Sequence, residues 1–270
     1  WGIRINGTAR RGDVAIDDEF RSAYVLGAGI DYDAGPLRAS LDLAYQRVKV
    51  AHFRPKLNLG AVGVIPRAPD AGNNFGQPWQ FTTLRDIFGQ ARIEYDIAPG
   101  VMLYAAAGAR DGAEEGIYST PTLTNAATGA ITVSSSFIPR TDNNEAATAG
   151  LRAKFAPGGV SHEVNAGGSI IWQVNRNAFE FYATSVQQNN LYAPVAVTPS
   201  TTVTFAAGDL DDPLPAGRSR LTSGFISDTI GLAGDRILLT AGLRLQGINT
   251  RSFSNVTGAL TGEYDEDKLT

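Results

Sequence analysis

The segment Asp235–Gln246, DRILLTAGLRLQ, constrains the fold most strongly because its side chains alternate in character. Successive side chains of an extended strand point to opposite faces. One face of such a strand would be wholly apolar, formed by Ile237, Leu239, Ala241, Leu243 and Leu245. The other face would be mostly polar and small, with Arg244 in mid-strand. Two environments produce this pattern: the core of a soluble sandwich and the lipid around a membrane barrel.

The same alternation recurs along most of the chain. In the segment 20–32, Tyr24 and Tyr32 bracket an apolar run on one face. Eight residues at about 3.3 Å each span roughly 26 Å, which is close to the apolar band of a bilayer once strand tilt is allowed. Further alternating segments occur at 1–10, 37–47, 81–97, 145–155, 161–175 and 218–230. This spacing favours lipid over a protein core.

The predicted connections fall into two classes. Tight turns rich in glycine and proline are expected at 33–36, 98–100, 156–159 and 231–234. Long loops are expected at 54–80, 111–144 and 176–217, and only the connection at 11–19 is short. Tight turns at one end and long loops at the other are typical of outer-membrane barrels, whereas compact soluble domains rarely contain several long structureless loops. The tight turns would face the periplasm.

The composition agrees with this interpretation and excludes several others. The 270 residues contain no cysteine, so a disulfide framework and a cysteine-ligated metal are excluded. A net charge of −4 gives no argument for nucleic acid as a partner. The predicted fold class is all-β, a transmembrane antiparallel up-and-down β-barrel with about nine to ten strands in this chain. The chain begins and stops within strand-like patterns, so we expect it to be an internal part of a longer protein.

Several segments together resemble a known family. LTSGFISDTIGLAGDRILLTAGLRLQG, followed by EYDEDKLT, is similar to the barrel of TonB-dependent siderophore receptors of the ferrichrome type. WGIRINGTARRGD resembles an early barrel strand of that family. The next pair of elements in those receptors is similar to two further segments of this chain, IPRAPDAGNNFGQPW and FGQARIEYDIAPGVMLYAAAG. The resemblance covers nearly the whole chain, and it is the order and spacing of these segments that make it specific.

The resemblance implies a 22-stranded barrel closed by an N-terminal plug. Residues 1–270 would form part of the barrel domain, without the plug and the terminal strands. A ferric siderophore would bind from outside, and the TonB complex would act through the N-terminal region that this sequence lacks. The expected location is the bacterial outer membrane, with its lipid as a further partner and with no nucleic acid. No cofactor of the protein itself is expected, because the siderophore carries the iron.

The predicted ligand-binding residues are aromatic side chains near the bases of the loops. Aromatic rings supply a large contact area at low entropic cost. The resemblance singles out Tyr118 in EEGIYST and Phe179 in NRNAFEFY. The full set is Phe53, Trp79, Phe81, Tyr118, Phe179, Phe181, Tyr182 and Tyr192. The alternative role for each of them is packing in the membrane girdle or within a loop.

The charged residues suggest fewer roles. Five arginines would face the barrel interior, where they could dock a plug or steer an anion, but pairing with neighbours such as Asp42 and Glu94 is favoured. These are Arg4, Arg38, Arg92, Arg152 and Arg244. Asp209, Asp211 and Asp212 are interpreted as a solvated loop tip rather than a calcium site. His52 and His162 are not expected to bind a metal together.

The leading function predicted from the sequence is uptake of a ferric siderophore. Two alternatives remain open. The same barrel could import haem, cobalamin or an oligosaccharide, and a non-transporting adhesin or β-sandwich would show a similar alternation. No nucleophile–base–acid arrangement is present, so an enzyme is not predicted.

Overall fold

The computed structural model describes residues 1–270 as a single antiparallel β-sheet. Ten strands follow one another as a meander in the order β1-β2-β3-β4-β5-β6-β7-β11-β12-β13, and three short strands lie off this path. The main strands are Gly2–Asp13 (β1), Phe20–Ala34 (β2), Leu37–Ala51 (β3), Phe81–Ala98 (β4), Val101–Asn125 (β5), Ala130–Phe155 (β6), Ser161–Asn177 (β7), Pro215–Leu232 (β11), Ile237–Phe253 (β12) and Leu260–Leu269 (β13). The short strands are Phe179–Tyr182 (β8), Asn189–Asn190 (β9) and Val203–Ala207 (β10).

The pairing register carries the apolar face from strand to strand. Ile30 lies opposite Leu41, which in turn lies opposite Ala91. We call this face of the sheet the outward face, and the opposite face, which carries Arg4 and Arg38, the inner face. Leu43 and Leu239 on the outward face are 54% and 56% exposed. No second sheet covers them.

This exposure excludes the soluble sandwich. A side chain of this size gains about 1.5–3 kcal/mol when it leaves water, so a whole sheet face of them requires an apolar cover. Lipid supplies that cover in a membrane barrel. The single-sheet meander of long antiparallel strands therefore confirms the predicted fold class, and the ten strands of its path confirm the predicted strand number.

Aromatic residues mark both edges of the apolar band on the outward face. At the end with the tight turns, the Trp1 and Tyr32 rings have centroids 4.4 Å apart, and Tyr95 and Phe155 lie on the same face. Tyr24 and Tyr45 lie towards the other end, on neighbouring strands. Tyrosine and tryptophan concentrate at the two membrane–water interfaces. The band between these girdles is the membrane-spanning part of the sheet.

Three of the four tight turns lie where the sequence predicts them, and the fourth, between β11 and β12, lies at 233–236 instead of 231–234. Gly35 and Gly100 have φ values of +63° and +77°, a region that glycine adopts without strain. The turn between β6 and β7 contains one 3-10 turn, Pro157–Gly159. No helix in the structure is long and apolar enough to cross a membrane.

The segment 111–144 is not the loop predicted from the sequence. It forms the upper halves of β5 and β6, which continue as a paired hairpin up to the turn at 126–129. Pro121 and Gly116 within it are typical of loops, but both lie in the strand. Their partners across the hairpin are Val133 and Ile138. We call this part of the two strands, residues 113–141, the upper hairpin.

The long segments at 54–80 and 176–217 also form more structure than predicted, because they pack around the upper hairpin. Strand β8 pairs with β6 and with β10, β9 pairs with β6, and Asn58 forms a parallel bridge with Thr122. A small core of Phe75, Leu123, Ile131 and Leu191 lies between these loops and the outward face of the hairpin. We call the loops that cover this face, residues 73–80 and 189–198, the loop cap.

The loop cap is held by buried amide side chains as well as by this core. Gln77 and Gln80 are only 0% and 1% exposed. The Gln77 Oε1 accepts a hydrogen bond from the Val197 N–H at 2.8 Å, and its Nε2 donates to the Val195 carbonyl at 3.3 Å. Buried polar groups cost free energy unless they are paired, so the Gln77 amide fixes one loop against the other. Gln80 fixes its loop to the hairpin, because its Oε1 accepts from the Ser119 hydroxyl.

Candidate ligand-binding site

A row of side chains crosses the inner face of the upper hairpin, above the membrane-spanning band. Tyr118 on β5 lies opposite Ser136 on β6, Ser136 opposite Phe181 on β8, and Phe181 opposite Phe205 on β10. Partners in register point to the same side of a sheet. Tyr118 and the two phenylalanines therefore share one face, with neighbouring strands about 4.8 Å apart.

Three phenylalanines form a cluster at one end of this row. The Phe179 ring centroid lies 5.0 Å from that of Phe181 and 5.8 Å from that of Phe205. The rings of Phe181 and Phe205 are nearly parallel, at 6.4 Å. Phe181 is 42% exposed and Phe205 is 51% exposed. The cluster is therefore an open apolar surface rather than a core.

Tyr118 forms the other end of the row. Its hydroxyl donates to the Glu114 Oε1 at 2.7 Å and lies 3.0 Å from the Thr82 Oγ1. The Phe53 ring lies 5.8 Å from the Tyr118 ring. Burial, together with the Glu114 carboxylate, raises the pKa of Tyr118 to about 12. The hydroxyl is therefore protonated at neutral pH and is oriented by Glu114.

Charged groups below Tyr118 compensate one another across the strands. The Arg140 Nε lies 3.2 Å from the Glu114 Oε2, and its Nη2 donates to the Asp142 Oδ2 at 2.8 Å. Asn175 on β7 also donates to Asp142. Arg110 donates to the Asp86 Oδ1 at 2.8 Å. This network ties β4, β5, β6 and β7 together beneath the aromatic row.

The sequence-predicted residues divide between this surface and other places. Phe53, Tyr118, Phe179 and Phe181 come together on the inner face, as described above. Tyr182 lies on the opposite face of β8, opposite Ser135, and its hydroxyl donates to the Glu180 Oε2 at 2.6 Å. That hydrogen bond, with burial, raises the pKa of Tyr182 to about 12.

The remaining three aromatic residues lie away from the row. Phe81 points outward under the Lys49 ammonium, which is 5.2 Å from the ring centroid. The Trp79 Nε1 donates to the Val197 carbonyl at 2.8 Å within the loop cap. The Tyr192 hydroxyl donates to the Arg67 carbonyl at 2.9 Å. These contacts correspond to the alternative role of loop packing.

Sequence reasoning missed Phe205, Glu114 and Arg140. Phe205 lies in a segment that was interpreted as irregular, and the two charged residues lie in a segment that was interpreted as a loop. The alternation of β10, VTFAA, covers only five residues. Such a short run carries no clear strand signal. Only the pairing with β8 places Phe205 in the row.

Three of the five inner-face arginines follow the favoured prediction of pairing. The Arg4 Nη2 donates to the Asp42 Oδ1 at 2.9 Å, and Arg4 also contacts Asp31. The Arg38 Nε donates to the Glu94 Oε2 at 3.1 Å, and Arg92 also pairs with Glu94.

Two of the five predicted arginines have no carboxylate partner. Arg152 lies over the Tyr104 ring at 5.1 Å, and the Arg244 Nη2 donates to the Ser223 Oγ at 3.0 Å.

Nothing in the structure gathers ligands for a metal ion. No group of three or more histidine, aspartate or glutamate side chains is arranged to hold one. The Asp209 Oδ1 accepts from the Asp211 N–H at 2.9 Å, so this carboxylate closes its own loop. The His162 Nδ1 lies 2.8 Å from the Asp228 Oδ2 on the outward face, far along the chain from His52.

Comparison with known proteins agrees with the fold and the sequence pattern. The chain is 30% identical over all 270 residues to the ferrichrome receptor FcuA of Yersinia enterocolitica. The resemblance to TonB-dependent siderophore receptors is confirmed. The chain spans 35% of the length of that receptor, so it corresponds to a part of it. No family model matches the chain.

Solved structures show the same fold. The ferric preacinetobactin receptor BauA of Acinetobacter baumannii superposes with a TM-score of 0.81 at 24% identity, over 99% of this chain and 39% of that one. The ferripyoverdine receptor of the outer membrane of Pseudomonas aeruginosa, bound to ferripyoverdine, has a TM-score of 0.71 at 13% identity. It is matched over 99% of this chain and 35% of its own.

Proposed function

We propose that the protein to which this chain belongs imports a ferric siderophore across a bacterial outer membrane. The observation that carries the proposal is the aromatic row on the inner face, placed above the lipid-facing band. The homologue and the structural neighbours are receptors, which supports binding and transport rather than catalysis. Energy supplied by the TonB complex is part of the same proposal.

The row suits a chelate better than a bare ion. Phe181 and Phe205 present flat apolar surface, and Tyr118 presents one oriented hydroxyl. Binding sites of this kind combine apolar walls with a few placed polar groups. The charged side chains beneath the row already pair with one another. They are therefore not available to ligate iron, and their charge does not need a metal ion to balance it. Iron would therefore arrive wrapped in its chelator.

The test is transport by the full-length protein. A strain that lacks the gene and its own siderophore synthesis is grown under iron limitation with purified ferric siderophores, ferrichrome first. Growth restored by the full-length gene with one chelator supports the proposal. Failure to restore growth with hydroxamate, catecholate and citrate chelates alike contradicts it.

Variants at the row test the site separately. Phe181→Ala with Phe205→Ala should weaken ligand binding at least tenfold, because buried aromatic anchors commonly contribute 2 kcal/mol or more. Phe81→Ala is the matched control, since Phe81 lies at a similar height but points outward. Equal binding by both variants would place the site elsewhere.

A further inference from the structure

An acidic side chain lies within the membrane-spanning band on the outward face of β11. Asp228 lies between Ile226 and Ile230 on this face. Across the sheet it is opposite Val164 on β7 and Ala241 on β12. Ile226 is 52% exposed, so this part of the face is open to lipid. Ionisable groups at membrane depth are costly and rare, and they commonly mark a functional site.

The partner of Asp228 lies at the aromatic girdle of the tight-turn end. His162 on β7 is opposite Phe155 on β6 and opposite Ile230 on β11. The Phe155 and His162 rings are stacked, with centroids 5.0 Å apart and an interplanar angle of 13°. The His162 Nδ1 lies 2.8 Å from the Asp228 Oδ2. The pair therefore extends from the girdle, where lipid headgroups begin, into the apolar band.

The hydrogen bond to the carboxylate decides what the imidazole presents to the lipid. An ionised carboxylate only accepts, so the His162 Nδ1 carries the hydrogen and donates it. In the neutral imidazole the lone pair is then on Nε2, which has no partner within the protein. The Asp228 Oδ1 is buried and has no donor either. The pair thus presents one acceptor, with a negative charge behind it.

No permanent cation of the chain balances this carboxylate. The one ion-pair partner of Asp228 is His162, which carries a charge only when it is protonated. Lys154 lies nearby on β6, but it points to the inner face and pairs with Glu163 at 2.6 Å. Arg236 is exposed on the turn that follows β11 and does not contact the carboxylate. A buried polar group without a partner costs free energy, so a cation from outside the chain would be stabilising here.

The surroundings favour a cation that is attached to a lipid. The side chains of His162 and Asp228 are 22% and 31% exposed on a face that meets the bilayer. Ala153 and Ala241 lie in the same row as Asp228, and their small side chains leave space beside the pair. Deeper in the band, Leu243 is 59% exposed and continues the apolar wall. A headgroup ammonium at the pair would therefore have its acyl chains against this wall.

We propose that the pair of His162 and Asp228 binds the ammonium group of an aminophospholipid, phosphatidylethanolamine, in the leaflet around the tight-turn end of the barrel. The ammonium donates a hydrogen bond to the His162 Nε2, and the Asp228 carboxylate behind the ring balances its charge. The acyl chains lie against Ile226 and Leu243. This site faces lipid, is separate from the inner aromatic row and does not depend on which nutrient the protein transports.

The experiment compares three phospholipids with identical acyl chains, titrated onto the full-length protein in detergent and measured by native mass spectrometry. Phosphatidylglycerol has the phosphate but no ammonium, and phosphatidylcholine has the positive charge but no N–H donor. The wild-type protein should bind phosphatidylethanolamine about tenfold more tightly than either, because only this headgroup can form the charge-assisted hydrogen bond. Equally tight binding of phosphatidylglycerol would show that the cation is not recognised, and equally tight binding of phosphatidylcholine would show that no N–H is needed. Either result overturns the proposal.

Two variants test the pair itself. Asp228→Asn removes the charge and keeps the shape, and His162→Phe keeps a ring against Phe155 but removes Nε2. Each should reduce the preference for phosphatidylethanolamine to less than about threefold. Glu163→Gln is the matched control, since it removes one negative charge from the inner face beside His162 and should keep the full preference. A preference retained by either test variant, or lost in the control, contradicts the proposal.

Two measurements on the wild-type protein decide the remaining outcomes. The comparison of the three lipids needs no substitution, so it still tests the proposal if Asp228→Asn does not fold. Soluble phosphoethanolamine tests the headgroup alone, and binding of it as tight as that of the whole lipid would overturn the lipid assignment. A pair that only holds β7 against β11 would show no preference among the three lipids.

Discussion

Leu103 and Leu123 lie on the same face of the same strand in opposite environments. Leu103 is in the membrane-spanning band and is 43% exposed on the outward face of β5. Leu123 is in the upper hairpin and only 2% exposed, because the loop cap covers it. Lipid thus contacts the outward face below, and protein contacts it above. The alternation of a strand shows which residues share a face, but it does not show what covers that face.

The difference between protein and lipid as the cover should have its largest effect on stability at the small core under the loop cap. Ile131→Ala should destabilise the upper hairpin by about 2–5 kcal/mol, because Ile131 is fully buried and the removed side chain leaves a cavity in protein. Hydrogen exchange of the cap amides in the full-length protein measures this. Leu43→Ala in the band is the control, since lipid can fill the space. Equal protection loss in both variants would break the comparison.

A charged side chain placed in the membrane-spanning band tests the same comparison where lipid is the cover. Leu41 lies on the outward face midway between Tyr45 and Leu37. Leu41→Arg should cost about 2–4 kcal/mol, the typical penalty for arginine at the lipid midplane of a barrel. Unfolding in vesicles measures it. A substitution that is tolerated without loss would mean that this face does not contact lipid.

Buried amide side chains hold the loop cap, whereas the outward face of the membrane-spanning band has none, so removing one gives a smaller test of the same comparison. Gln77→Ala leaves the Val197 N–H without its acceptor and should cost about 1–3 kcal/mol. The amide of Val197 should then exchange faster, while amides of β2 and β3 keep their rates. Thr198 provides an internal control because its N–H donates to the Gln187 Oε1 instead, at 2.5 Å. Unchanged exchange at Val197 would show that the amide does not hold the cap.

The smallest effect is electrostatic and lies on the inner face. Glu114→Gln removes the carboxylate that helps to raise the pKa of Tyr118 to about 12, so that pKa should fall towards its ordinary value. Tyr118 should then ionise at lower pH than in the wild type, seen as tyrosinate absorbance. Subtraction of the titration of Tyr118→Phe isolates this residue from the other tyrosines. An unshifted titration would show that burial alone controls it.

The membrane-spanning band was predictable because one physical rule governs each of its strands. Residues such as Leu41, Ile93 and Leu245 alternate with polar neighbours, and lipid covers them all in the same way. The upper hairpin was not predictable, since Leu123 and Ile131 are covered by Phe75 and Leu191, which are distant in sequence. Nothing local distinguishes that pattern from a loop that contains Pro121.

The candidate site was predictable in part for the same reason. Tyr118 and Phe179 were predicted from their places in segments that resemble the receptor family. Phe181 was predicted as a further aromatic residue of the segment that contains Phe179. Phe205 joins them only through the pairing of β10 with β8, which no local pattern indicates. Phe81 lies apart from the row, on the outward face that it shares with Ile87 and Ile93.

The unbroken course of β5 has a mechanical consequence. Its 25 residues run from the turn at Gly100 to the tip of the upper hairpin, a length of roughly 80 Å, and β6 stiffens it along its whole length. Such a paired rod resists bending at every point between the two ends. Tyr118 therefore keeps a constant distance from the tight turn at Gly100, because the paired strand between them cannot shorten or fold back.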